Sequence, residues 1–329
     1  MAPAARRNAP AAAARCRFRD RGGGRTRLAC RAISYRTGAL LCILAAILWS
    51  LTGLAVRQIE GVGTWAVLFW RSLGAVPVLG LWIAIRSGGR PWRQIRATGI
   101  AGVAGGLCLV AAFGGAIFAF QATLIANAVF LFSATPLIAA VLGRVLLAEP
   151  VRPATGLAIA LAALGVFMMV RDGLEAGAMA GNIAALISAA GFAGFSVALR
   201  AGGLREAMPV SFLGAVFAAT AGAALMAATG QSALAPLPGI AIAVAMGAVL
   251  LAGGMILYTL GSRVLSAAEA TLVGQVEVIL APLWVWLFLG ETASASTLTG
   301  GAVIVTAILM NALAGMRRLR HGPGVAPLG

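Results

Sequence analysis

Lysine is missing from all 329 residues of this chain, histidine occurs once, and the only aspartates are Asp20 and Asp172. Acid–base and metal-assisted catalysis draw on clusters of His, Asp, Cys and similar groups. A lone His321 in the C-terminal tail supplies none. No GxxxxGK[ST] phosphate loop occurs, so nothing supports ATP-driven work. The four cysteines (Cys16, Cys30, Cys42 and Cys108) form no CxxC pair, two lying in the N-terminal tail and two in apolar runs. Neither a disulfide framework nor a zinc site is indicated, and they read as small apolar filler. The chain is therefore expected not to be an enzyme, and to need no cofactor and no metal.

Charge is scarce as well, at 10% of residues, against about 25% in an ordinary soluble domain. Apolar residues take up the difference: 61% of the chain is hydrophobic and the mean hydropathy is +0.97. A soluble fold could not hide that much apolar surface, so the solvent for most of this protein is lipid. A bilayer core needs about 20 mostly apolar residues per helix. Ten such runs can be marked, at 39–56, 64–85, 99–120, 124–147, 154–170, 177–199, 209–229, 238–260, 266–290 and 298–314. The expected class is all-α integral membrane with ten transmembrane helices. A tail (1–38) and a short basic C-tail (315–329) flank two five-helix units at 39–171 and 177–314.

All 25 basic residues are Arg, and the net charge is +16. They form no interleaved basic and aromatic face, so no nucleic-acid partner is expected. Ten of the Arg precede Thr37, in a stretch unlike a secretory signal. That stretch reads as a disordered cytoplasmic arm or a misassigned start, ahead of a transit peptide. With the N-terminus inside, the inner loops and C-tail hold eleven further Arg, whereas the outer loops hold only Arg57 and Arg171. The positive-inside rule then sets both termini in the cytoplasm of a multi-pass protein of the cell (inner) membrane.

The chain also reads as two copies of one unit. "GALLCILAAILWSLTGLAVR" (38–57) aligns without a gap to "GNIAALISAAGFAGFSVALR" (181–200), so that Arg57 pairs with Arg200 at an offset of 143. "ANA" (126–128) meets "AEA" (268–270), and Glu149 meets Glu291, at an offset of 142. Five spans per copy is an odd number, so the copies are expected to cross the membrane in opposite directions, a recurring design of secondary transporters.

These stretches resemble the drug/metabolite transporter superfamily, in particular its EamA-type ten-helix permeases. "ANAVFLFSATPLIAAVLGRVLLAE" (126–149) and "AAEATLVGQVEVILAPLWVWLFLGE" (267–291) are similar to the family pattern of a small-residue start, a mid-helix Pro and a terminal Glu. "LFWRSLGAVP" (68–77) and "ILWSLTG" (47–53) resemble its second and first helices. The chain departs from the pattern at Val278, where the family usually has Pro; here Pro282 follows one turn later.

Glu277 is the sharpest candidate for the transport site. A charged side chain at mid-bilayer costs at least ~2.5 kcal/mol and normally faces a cavity or a partner. The residue suits substrate-amine recognition or proton coupling, with a permanent packing ion pair as the competing account. Arg71 is its natural counter-charge and a candidate anchor for a substrate carboxylate, with outward snorkelling the alternative. Pro136 and Pro282 free the carbonyls of Phe132 and Val278, and such breaks usually line a cavity. Gln275, Asn127 and Trp49 complete the candidates, Asn127 reading more as a helix cap and Trp49 as a wall of the pocket. Glu149 and Glu291, at helix ends, are expected to bond loop groups. The resulting expectation is a secondary active transporter (exporter or permease) of small metabolites such as amino acids or amphipathic amines. Its partners would be a small-molecule substrate and the lipid bilayer, with a homodimer left open. A structural or regulatory membrane protein, or an enzyme without a legible cluster, is the alternative. In a Cys-free background, a single cysteine at residue 325 should stay unlabelled by an impermeant maleimide in intact cells; external labelling would overturn the orientation.

Overall fold

In a computed structural model, residues 34–151, 153–175, 179–204, 206–265 and 267–321 are described, and among them every regular element is helical. Most of the expected arm at 1–38 and part of the C-tail lie outside these residues. Lipid offers backbone groups no hydrogen-bond partner, so an apolar chain of this composition folds into helices, which satisfy their own. The helices are α1 (Tyr35–Arg57), α2 (Thr64–Arg86), α3 (Pro91–Arg96), α4 (Gly99–Ala122), α5 (Ile125–Ser133), α6 (Thr135–Leu147) and α7 (Pro153–Glu175). They continue with α8 (Met179–Ala201), α9 (Met208–Thr229), α10 (Leu237–Ala245), a π-helical stretch (Met246–Gly253), α11 (Gly254–Gly261), α12 (Ala267–Leu289) and α13 (Ala295–His321).

Eight spans among the described residues are long and apolar enough to cross a bilayer; α5 with α6, and α10 through α11, each count as one. Shorter apolar helices at Pro153–Met169 and Val276–Leu289 fall where the fifth and ninth spans were expected. The polar link at 86–96 is not merely a loop: Pro91 opens the short α3, as Pro does when its missing N–H is not needed. Trp92 and Trp286 are exposed, as an interfacial belt requires.

The two halves interleave. α4 packs on α8 and on α9, while α1 packs on α11 and α2 packs on α10 and the π stretch. α8 also contacts α5 and α6, and α1 contacts α12. α2 meets α9, and α7 meets α13. Small residues permit these approaches, as expected where apolar burial alone does not drive helices together. At Gly247, in the π stretch, an added Cβ would lie 1.7 Å from the carbonyl oxygen of Arg71 on α2. Ser188 of α8 donates to the carbonyl of Ala112 on α4 at 2.7 Å, tying the α4–α8 seam.

Gly247→Ala must push α2 away from the π stretch, an overpacking of the kind that costs about 1–3 kcal/mol. Gly156 has nothing within 4 Å of a Cβ and no left-handed backbone, so Gly156→Ala should be neutral or stabilising by up to ~1 kcal/mol through helix propensity. Melting curves of the two variants in detergent should move in these opposite senses.

Candidate functional site

Helix α2 carries Arg71 into the protein interior, where only 7% of its surface remains exposed. Snorkelling to an interface does not occur. Its guanidinium carbon sits 5.0 Å from the centre of the Phe113 ring on α4, a cation–π contact that offsets part of the lost hydration. Nε and Nη1 are nonetheless buried with no hydrogen-bond partner, as is the hydroxyl of the adjacent Ser72. A desolvated cation with unfilled donors is costly unless an anion or a polar ligand completes it.

Glu277 is half-buried on α12, one residue before the buried Val278 and one turn before the buried Ala281. The two ion pairs among the described residues involve neither Glu277 nor Arg71, so the expected pairing of these two charges is not made. Trp49 on α1 lies 5.5 Å from Tyr258 between ring centres, and its Nε1 crowds Gly254 so closely that a Cβ there would stand 2.3 Å away. One residue on, Ser50 accepts a hydrogen bond from Trp284 Nε1 at 3.0 Å, joining α1 to α12 two turns beyond Glu277. The side chain of Gln275 lies outside the described residues.

Asn127 is buried and acts as a tie between elements. Its Nδ2 donates to Thr123 Oγ1 at 3.4 Å, and Thr297 Oγ1 of α13 donates to its Oδ1. Thr123 follows the end of α4 and in turn donates to Asn182 Oδ1 on α8 at 3.1 Å. Four helices, α4, α5, α8 and α13, thus share one polar cluster.

The two prolines behave differently. Pro136 stands in the first turn of α6, and the span is interrupted between Ser133 and Thr135. The carbonyl of Phe132, freed by Pro136, accepts a 2.6 Å hydrogen bond from Thr135 Oγ1. Pro282, in contrast, lies within the unbroken α12. The break expected in both copies is present in one.

Two features escaped the sequence reading. The π stretch beside Arg71 lies within a run expected to be uniform helix, and the glycines at 247, 253 and 254 were its only signal. Glu149 and Glu291 do not simply bond loop groups: they pair with Arg200 and Arg57 at 3.0 and 2.9 Å. Both acids and both arginines had already been aligned between the copies, but the offsets did not reveal that the partners would be exchanged.

The fold and this interior define a multi-pass helical membrane protein. Residues 36–171 match the model of the EamA-like transporter family, which is what this segment is similar to. No curated protein matches the chain. A solved structure described only as "Crystal structure of protein" is similar with 20% identity and a TM-score of 0.57, covering 86% of this chain and 99% of its own. At that identity the likeness speaks for the fold alone.

Thr135→Val keeps shape but removes the hydroxyl bond to the Phe132 carbonyl, leaving it only the Ala134 N–H. It should destabilise the protein by about 0.5–1.5 kcal/mol, read as a lower melting temperature beside an unaffected Thr299→Val on the exposed face of α13.

Proposed function

We propose that this chain is a secondary active transporter that carries small metabolites by alternating access between two inverted five-helix repeats. Its membrane is the cell (inner) membrane, and both termini face the cytoplasm. The observation that carries the reading is the reciprocity of helix packing. Exchange of the halves turns α4 on α8 into α1 on α11, α4 on α9 into α2 on α10 and the π stretch, and α8 on α5 and α6 into α1 on α12. The α2–α9 and α7–α13 contacts map onto themselves. Two like halves packed this way have equivalent ways to tilt about one centre, which alternating access requires. The excess of Arg in the loops assigned to the inside supports the orientation.

The substrate is a small metabolite with a cationic and an anionic end, such as an amino acid; an amphipathic amine would use the cationic end alone. Arg71 is suited to the carboxylate, since its unfilled buried donors would be completed by one. Glu277 is suited to the amine or to a coupling proton. Trp49, Gln275 and Asn127 remain candidate contacts around them, and the segments at Pro136 and Pro282 candidate cavity walls.

Protein reconstituted in proteoliposomes and offered a panel of amino acids and amphipathic amines should show flux for at least one. That ligand should also raise the melting temperature, because it binds the folded state. Glu277→Gln should retain the wild-type melting curve while losing most flux and flattening its dependence on pH. Wild-type flux and an unaltered pH profile in this variant would remove Glu277 from the site, and a flux loss that tracks lost stability would assign it to packing instead.

A further inference from the structure

The exchanged ion pairs occupy opposite ends of the helix bundle. Arg57 closes α1, which starts at the other end with Gly38 against Gly261 at the end of α11. Arg200 closes α8, which starts with Gly181 against Thr123 at the end of α4. At one end Arg57 Nη2 meets Glu291 Oε2 at 2.9 Å. At the other, Arg200 Nη1 meets Glu149 Oε2 at 3.0 Å. Each pair joins the first helix of one half to the segment after the fourth span of the other half. Neither pair holds its own half together, so both cross the seam along which the halves would move.

The two ends are closed to different depths. Arg57 and Glu291 keep 27% and 17% of their side-chain surface. Arg57 Nη2 also donates to the Thr123 carbonyl at 2.9 Å, and Glu291 Oε1 accepts from the Ile125 backbone N–H at 2.6 Å. These bonds reach into the gap between α4 and α5, next to the Asn127 cluster. Arg200 and Glu149 keep 44% and 40%, Arg200 has one further bond, to the Ala139 carbonyl at 3.1 Å, and a cavity of about 170 Å³ opens beside them between Glu149, Val151 and Thr155.

We propose that Arg57–Glu291 and Arg200–Glu149 are the two gate latches of the transporter. Each holds one end of the central pathway shut, and they release in alternation. The proposal rests on the transport reading above and adds four gating residues to it. Because each latch joins the two halves, opening one end requires its ion pair to part while the other stays made. The Arg57 end, less exposed and tied to backbone by two further bonds against one, is the more firmly closed, and the Arg200 end is the readier to open.

Hydrogen-exchange mass spectrometry of the whole purified chain tests this without any substrate. Arg57→Gln should raise exchange at 122–127 and 290–297 and lower it at 143–151 and 198–204. The change expected is about two- to fivefold, the bias an incompletely buried ion pair can exert on a two-state balance. Arg200→Gln should produce the reverse pattern. Glu291→Gln should act like Arg57→Gln, with the double variant adding little, since both remove one interaction. The opposite response at the far end is the signature, because a static ion pair loosens only its own surroundings. Faster exchange confined to the altered end, spread over all helices, or absent altogether would overturn the proposal. Flux of a panel amino acid, measured separately, keeps the two readings apart: a transporter without these latches retains flux but shows no counter-movement, and a protein that does not transport can still show it.

Discussion

Two helices in lipid gain little from burying apolar surface against each other, since the lipid tails are as apolar as the side chains they would replace. What holds this bundle together is close approach of backbones, and that depends on side chains small enough to allow it. Gly247 lets the π stretch meet the carbonyl of Arg71, and Gly261 lets the end of α11 meet Gly38. Glycine at these seams is therefore a packing requirement, and the close approach it allows sets where polar groups can be placed. Ser188 can reach the Ala112 carbonyl because α4 and α8 are already in contact along that seam.

Against this nearly uniform apolar background the few polar groups fall into two kinds. Those of the first kind are consumed locally: Thr135 on the Phe132 carbonyl, Asn127 between Thr123 and Thr297, and Trp284 on Ser50. Each fulfils a hydrogen bond that lipid cannot supply. The second kind is left incomplete. Arg71 has two buried nitrogens without acceptors and only an aromatic face for company. The Ser72 hydroxyl and the Asn182 amide nitrogen are buried without a partner as well, so the incomplete groups are few and the charged one among them is Arg71.

Much of the fold was legible because a membrane makes the sequence code simple: length and apolarity mark a span, and eight of the ten marked runs coincide with helices long and apolar enough to cross a bilayer. Where the backbone departs from regular helix, that code fails. The π stretch has the same composition as its surroundings, and α3 is too short to have a periodic face. The offsets of 143 and 142 aligned Arg57 with Arg200 and Glu149 with Glu291 but did not show that Arg57 would meet Glu291 and Arg200 Glu149, because such pairing is a property of the assembled bundle. For Arg71 the sequence left burial and snorkelling open, since depth along a helix does not say which way a side chain turns. The neighbouring Phe113, which comes from another helix, settles it in favour of burial.

The interruption at Ala134 divides one membrane crossing into two rods with different companions. α5 lies against α12 and α13 as well as α8, whereas α6 lies against α7 and α8. At the junction the Ala134 N–H turns back to Leu131, its carbonyl accepts from Leu137 and Ile138, and the Thr135 hydroxyl takes the Phe132 carbonyl that Pro136 cannot. The two rods share α8 but otherwise rest on different neighbours, so a change in the packing of α12 and α13 bears on α5 first and one in α7 on α6, whereas α12 runs unbroken.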